Sequence, residues 1–194
     1  MLVSVACGFA APLKSSHILW INLITDSLPA LALGVDEEEN KSYMDRPPRG
    51  KDESLFAGGG WGCTCFYGLL IAGISMLAFL QEPVGTIKSA GMTLTIPHLQ
   101  AVLKDAQVLA RSQTYAFTVL GMAQLFHAIG MRDVETSVFC MNHLENRLML
   151  AAFAVGISLQ MMVTEVPYFV QLFGTCRLTA LELSLIHISE PTRP

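Results

Sequence analysis

Long stretches without a charged residue constrain this chain more than any other feature of its sequence. Residues 57–80, 113–131 and 148–164 contain no Asp, Glu, Lys or Arg, and residues 15–35 contain a single acid, Asp26. A helix needs about 20 mainly apolar residues to cross the hydrocarbon core of a bilayer. The pattern therefore predicts an all-α membrane protein with four full transmembrane helices, at 15–35, 57–80, 113–131 and 148–170, and a partial one at 1–12.

The overall composition agrees with a multi-pass integral membrane protein whose first partner is the lipid bilayer. Hydrophobic residues make up 52% of the 194 residues and charged residues only 14%, whereas soluble domains carry about 25% charged residues. The net charge of −4 and the lack of a basic stripe argue against a nucleic-acid partner. The five cysteines have no metal-binding spacing, and we interpret them as small apolar side chains.

Polar segments between the apolar windows are predicted to be loops. They cover 36–56, 81–112 and 132–147, and apolar residues at helical spacing predict a short amphipathic helix at 96–109. Loops 36–56 and 132–147 lie on one side of the membrane and hold six basic residues, against five on the other side. The excess of one favours a cytoplasmic position for the first pair only slightly.

Both ends of the chain differ from natural helix boundaries. The chain starts inside an apolar run of 11 residues, which is too short to span a bilayer and resembles the tail of a longer helix. Residues 183–194 continue no earlier pattern and resemble a translated sequencing adapter, so we expect the transmembrane domain to cover 1–182. A signal-like start and a natural polar tail are the alternatives.

Asp26 is the residue that points to function. An ionisable side chain near the middle of a span costs about 3 kcal/mol, so another interaction has to offset that cost. Asn22 lies four residues earlier on the same helical face, and Thr25 is adjacent. A carboxylate, an amide oxygen and a hydroxyl are the hard oxygen ligands that Ca²⁺ prefers.

Pro29 strengthens the interpretation as a cation site. Proline has no N–H, so the carbonyl of Thr25 loses its helical partner. Broken helices that present free carbonyls to cations are a recurring device of transporters. We therefore predict an unwound helix at Asn22–Asp26; the alternative is a kinked helix in which Asp26 is protonated or hydrogen-bonded to a neighbour.

Four segments of the sequence resemble P-type calcium-transporting ATPases of the bacterial or sarco/endoplasmic reticulum type. The resemblance is most specific at Trp20–Asp36, which is similar to the sixth transmembrane helix of that family, and at Met44–Arg49, which is similar to the start of the following cytoplasmic loop. Weaker similarity extends through Gln124–Ile129, similar to the eighth helix, to Phe173–Thr175 after the ninth. It covers nearly all of residues 1–182.

The resemblance implies which residues bind the transported ion. Asn22 and Asp26 match ligands of the family's second calcium site, and Thr25 matches a ligand of the first. Gln124 stands where the pumps with two calcium sites have a glutamate. With a glutamine at this position, the sequence resembles pumps that carry one Ca²⁺ per cycle, some of which also move Mn²⁺. The alternative role for Gln124 is a hydrogen bond between packed helices.

The family's ATP-hydrolysing machinery has no counterpart in this sequence. The Asp-Lys-Thr-Gly motif that becomes phosphorylated is absent, so the resemblance implies that ATP and Mg²⁺ bind in cytoplasmic domains outside this chain. Those domains and further N-terminal transmembrane helices are the implied partners, and a bacterial plasma membrane is the expected location. We expect the chain alone neither to hydrolyse ATP nor to bind calcium tightly. A stand-alone ion channel or carrier subunit and a non-transporting interaction module are the alternatives.

Overall fold

A computed structural model describes residues 1–35, 56, 60–131 and 147–178, and within these ranges the chain is helical without a strand. The all-α class predicted from the sequence is therefore confirmed for the described residues. The α-helices are α1 (Leu2–Ala6), α2 (Ser15–Trp20), α3 (Ser27–Gly34), α4 (Gly60–Ser89), α5 (Ile96–Val102), α6 (Ala106–Gly130), α7 (Arg147–Glu165) and α8 (Pro167–Phe173), and a π-helical turn (Ile21–Thr25) joins α2 to α3.

Two of the described helices, α4 and α7, are long and apolar enough to cross a membrane. Large apolar side chains of α4 such as Phe66, Leu69 and Leu77 are exposed, as expected of a helix surface that faces lipid. The other two predicted spans correspond to α6, which has more polar residues, and to the interrupted series of α2, the π turn and α3. Four full spans remain a prediction.

The loop predicted from residue 81 is wrong at its start, because the helix that contains the second predicted span, α4, continues to Ser89. A loop was expected at 81–112 because the charge-free apolar window ends at residue 80. Pro83 lies inside the helix and is buried, and Glu82 forms an ion pair with Arg111 of α6, with 3.4 Å between Oε1 and Nε. Packing against α6 thus keeps this polar end of the helix folded.

The helix that contains the third predicted span, α6, begins at Ala106, which lies within the predicted loop 81–112. Asp105 caps the helix, since its Oδ1 accepts a hydrogen bond from the Gln107 N–H at 2.8 Å. The same cap divides the amphipathic helix predicted at 96–109, because α5 ends at Val102 and α6 starts after a short turn.

The fourth predicted span, 148–170, is interrupted. Helix α7 ends at Glu165, and α8 starts at Pro167 after Val166, whose backbone is extended. The ring of a proline disfavours the helical conformation at the residue before it, and this explains the break at Val166. Helix α8 then ends at Gly174, whose φ of 61° is the left-handed conformation common at helix C-termini.

Helix α6 lies at the centre of the fold. Its Ala116 packs with Phe79 of α4, while the neighbouring Phe117 packs with Val163 of α7 and Ile21 of the π turn. Adjacent residues of α6 therefore face opposite neighbours, so a single helix fixes both α4 and the π turn. This arrangement positions the residues that the sequence analysis singled out.

Candidate cation site

The helix that carries Asp26 widens into a π turn. The Asp26 N–H donates to the carbonyl of Ile21, five residues back, at 3.0 Å, and the Ser27 hydroxyl donates to the carbonyl of Asn22 at 3.1 Å. The prediction of an unwound segment at Asn22–Asp26 is therefore wrong in detail, because the backbone stays hydrogen-bonded in a wider register. Single π turns of this kind are frequent at functional sites.

Pro29 contributes to this local loosening. It has no N–H to offer the Thr25 carbonyl, whereas the next residue, Ala30, bonds normally to the Asp26 carbonyl at 3.2 Å. The Thr25 side chain is buried, and the Asp26 side chain is exposed. The carbonyl of Thr25 and the carboxylate of Asp26 thus lie next to each other where the helix changes register.

A groove of about 470 Å³ opens beside Asp26, between α3, α4 and α6. Three of the four predicted ligands, Thr25, Asp26 and Gln124, line it, so residues about 100 positions apart in sequence meet in one place. Asp26 is the single acid among its lining residues. The fourth predicted ligand, Asn22, is exposed and is not among the lining residues.

Gln124 brings a polar atom that lacks a partner. Its Oε1 is buried and accepts no hydrogen bond in the described part of the chain. An unsatisfied buried polar group costs about 1–3 kcal/mol, and an amide oxygen can also coordinate a hard cation. The alternative expected from the sequence, a hydrogen bond between helices, does not satisfy this oxygen.

The opposite wall of the groove comes from α4, which the sequence analysis did not connect with the site. Cys63, Thr64, Tyr67 and Gly68 line it, and the Tyr67 ring lies 4.6 Å from the imidazole of His127 between centroids. The signal in the sequence was the spacing of Thr64, Tyr67 and Gly68, which places polar and small residues on one face of an apolar helix.

The described residues supply only part of a complete cation shell. Among them, no three His, Cys, Asp or Glu side chains come close enough to hold a metal ion together. Ca²⁺ takes six to eight oxygen ligands. A single carboxylate with one hydroxyl, one amide and one free carbonyl provides about half of that number.

Comparison with known proteins identifies the family. Residues 10–189 match the family model described as cation transporting ATPase, C-terminus. The chain is 34% identical over 179 residues to calcium-transporting ATPase 1 of Bacillus cereus and 34% identical over 180 residues to the calcium-transporting ATPase of Bacillus subtilis, which in each case is 92% of the chain. It is 27% identical over 184 residues, 95% of the chain, to calcium-transporting ATPase type 2C member 2 of the mouse.

These matches cover a minor share of each relative: 20% of the Bacillus cereus protein, 18% of the Bacillus subtilis protein and 17% of the mouse protein. The matched range extends to residue 189, beyond the described residues, and includes seven residues of the segment 183–194, whose assignment to an adapter stays a prediction. The family match spans nearly the whole chain, in agreement with the resemblance at Trp20–Asp36. The chain therefore belongs to the cation-transporting ATPases and corresponds to their C-terminal region.

Proposed function

We propose that this chain is part of the transmembrane domain of an ATP-driven calcium pump, and that Asn22, Thr25, Asp26 and Gln124 contribute ligands to the transported ion. The observation that carries the proposal is the groove, which brings Thr25, Asp26 and the unpaired Oε1 of Gln124 together beside the π turn. Asn22 lies on the π turn and outside the groove lining, and the proposal includes a shift of that turn that brings its amide into the groove.

The chemistry of these ligands favours Ca²⁺ as the cargo. All four offer oxygen atoms and only one carries a charge, a set that suits a hard divalent cation. Oxygen ligands also suit Mn²⁺, which makes Mn²⁺ a second cargo to test. The relatives in both Bacillus species and in the mouse bear the name calcium-transporting ATPase.

The remaining parts of the pump lie outside this chain in the proposal. Further transmembrane helices complete the cation shell, and cytoplasmic domains bind ATP with Mg²⁺ and form the phosphorylated aspartate. Energy from that step opens the site alternately to the two sides of the membrane. A bacterial plasma membrane is the proposed location, since Bacillus relatives are among the most similar proteins found.

The test uses a chimera in which this chain replaces the matching segment of the Bacillus cereus pump, which aligns over 179 residues. We expect ATP-dependent ⁴⁵Ca²⁺ uptake into inverted vesicles, and we expect the Asp26→Asn variant to lose at least 90% of it, because the single carboxylate of the groove is removed. Asp105→Asn is the matched control, since Asp105 only caps α6. Uptake that persists in Asp26→Asn, or that needs no ATP, contradicts the proposal.

A second test asks whether the ion occupies the groove. Cys63 is a free, half-buried thiol on the groove wall, whereas Cys65 is exposed and does not line it. In chimeras that keep only one of the two cysteines, we expect Ca²⁺ to slow maleimide labelling of Cys63 and to leave Cys65 unchanged. Equal protection of both thiols, or of neither, places the ion elsewhere.

A further inference from the structure

The turn that follows α8 is a meeting point of four helices. We call residues 173–176 the hub turn. The Lys14 ammonium donates to the Gly174 carbonyl at 2.6 Å, and the Ser16 hydroxyl and the His17 Nε2 reach the Phe173 carbonyl at 3.5 and 3.2 Å. Three side chains at the start of α2 thus bond two consecutive carbonyls at the end of α8.

Helices α6 and α7 bind the same turn. The Cys176 N–H donates to the hydroxyl of Thr114 on α6 at 2.9 Å, and the Thr175 hydroxyl donates to the Val163 carbonyl on α7 at 2.8 Å. All residues of the hub turn are therefore held by side chains or carbonyls from other elements.

His17 is held on both sides and is fully buried. Its Nδ1 accepts from the Lys14 N–H at 3.5 Å, so its Nε2 carries the proton that is donated to the Phe173 carbonyl. Its ring also stacks on Phe117 of α6, with 4.5 Å between centroids. A single imidazole thus connects α2, α6 and the hub turn.

The Lys14 ammonium lies in space that is open because residue 174 is a glycine. Gly174 adopts a φ of 61°, and a Cβ on this residue would lie 2.5 Å from the Lys14 Nζ. A cation at the carbonyl end of a helix is also favoured by the helix dipole. Glycine at 174 therefore both ends α8 and leaves room for the lysine.

The hub turn joins the two helices whose side chains form the proposed cation site. Asp26 lies nine residues after His17, about 13 Å along the helix, and Gln124 lies seven residues after Phe117, about 10 Å along α6. The loosened π turn separates the hub from Asp26. The hub contacts therefore hold the start of the helix that leads into the π turn.

We propose that Lys14 and His17 are positioning residues for cation binding, which act by fixing the start of α2 to the carbonyls of the hub turn. This inference rests on the proposed function. Neither residue lines the groove, so both act through the orientation of the helix. Substitution of either residue should therefore change K0.5 for Ca²⁺, the concentration that gives half-maximal uptake. It should change K0.5 for ATP and the maximal rate of uptake less.

The experiment measures K0.5 for Ca²⁺ and for ATP in the chimera described above. We expect Lys14→Met to raise K0.5 for Ca²⁺ about tenfold, because a charge-assisted hydrogen bond is lost, and to leave K0.5 for ATP unchanged. Lys14→Arg should stay within about threefold of the parent, since it keeps the charge and the donors. Lys104→Met is the matched control, because Lys104 is exposed in the turn before α6.

Three further variants keep the inference testable if Lys14→Met does not accumulate. His17→Gln retains one donor and one acceptor and should bind Ca²⁺ more tightly than His17→Leu, which retains neither. Gly174→Ala should displace the ammonium and raise K0.5, and the increase should shrink in the Lys14→Met background because the two residues act together.

The outcomes separate this inference from the proposed function. If Asp26→Asn abolishes uptake while Lys14→Met and His17→Leu leave K0.5 for Ca²⁺ unchanged, the positioning role is wrong and the proposed function stands. The positioning role is also wrong if Lys104→Met produces the same shift, or if K0.5 for ATP moves equally with that for Ca²⁺. If Asp26→Asn leaves uptake unchanged, the proposed function itself fails.

Discussion

At the scale of single residues, the candidate site depends on oxygen atoms that have incomplete partnerships within the chain. The carbonyl of Thr25 has no helical donor, because Pro29, four residues later, lacks an N–H. The Oε1 of Gln124 is buried without a hydrogen-bond partner among the described residues. Such atoms cost free energy in an apolar bundle unless a ligand or water satisfies them. Their concentration beside the single acid of the groove is the reason for treating this place as a cation site.

Substitution of Gln124 tests the neutral ligand directly. Gln124→Leu should raise K0.5 for Ca²⁺ uptake by the chimera about tenfold, because one coordinating oxygen is lost. Gln124→Glu should bind Ca²⁺ at least as tightly as the parent, because the carboxylate keeps that oxygen and adds charge. An unchanged K0.5 in Gln124→Leu would assign Gln124 to helix packing alone.

At the scale of secondary structure elements, the π turn and the close contact of α6 with α7 are two local features of the helices that surround the candidate site. Pro29 prevents the register of α3 from continuing into the turn. On the other side of the bundle, Gly156 of α7 lies against Leu125 of α6, where a Cβ would come within 2.7 Å of Leu125 Cδ2. Small residues at such contacts let helix backbones approach closely in membranes.

Replacing Pro29 by a residue with a backbone N–H should raise the thermal stability of the protein and weaken its binding of Ca²⁺. In Pro29→Ala, the new N–H can pair with the Thr25 carbonyl, which removes that oxygen from the site and favours a regular helix. We expect a higher thermal midpoint in detergent together with a several-fold higher K0.5 for Ca²⁺. A variant that gains stability without any loss of affinity would show that the Thr25 carbonyl is not a ligand.

The α6–α7 contact predicts a difference between two glycines. Gly156→Ala should lower the free energy of unfolding by about 1 kcal/mol, because the end of Leu125 has to move away from the new methyl group. Gly73→Ala on α4 is the matched control, since a Cβ there meets no atom within 4 Å and alanine favours the helix. The comparison uses thermal unfolding of the purified chimera, and equal effects of both changes would contradict the packing shown here.

At the scale of the whole molecule, the groove exists only because three helices from distant parts of the sequence meet around it. Helix α3 brings Asp26, α6 brings Gln124 and His127, and α4 closes the opposite wall with Tyr67. A glycine in that wall, Gly68, leaves open space where a side chain would stand. The volume available to an ion and its water is therefore set by tertiary packing.

Filling this space should block transport without unfolding the protein. Gly68→Leu places a side chain in the groove, and we expect the rate of Ca²⁺ uptake to fall at least fivefold while the thermal midpoint stays within a few degrees. Gly62→Leu is the control on the same helix, since Gly62 is exposed and does not line the groove. A normal rate in Gly68→Leu would exclude the groove as part of the ion's path.

The sequence by itself determined the helical class and the family, because both depend on local patterns, and it predicted Asp26 as a cation ligand. Apolar windows indicate where helices can form in a membrane, and an acid inside such a window is a candidate functional residue. The residues from Trp20 to Asp36 likewise pointed to the family without any knowledge of their neighbours.

The tertiary structure decided which side chains meet and how far α4 extends. The extension of α4 to Ser89 accompanies its packing against α6, whereas the break at Val166 follows locally from Pro167. Pro29 predicted an interruption at Asn22–Asp26, but not that the backbone there stays hydrogen-bonded as a π turn. The contribution of α4 to the groove and the contacts of Lys14 and His17 with the hub turn arise between residues far apart in the chain, which local propensity and periodicity do not encode.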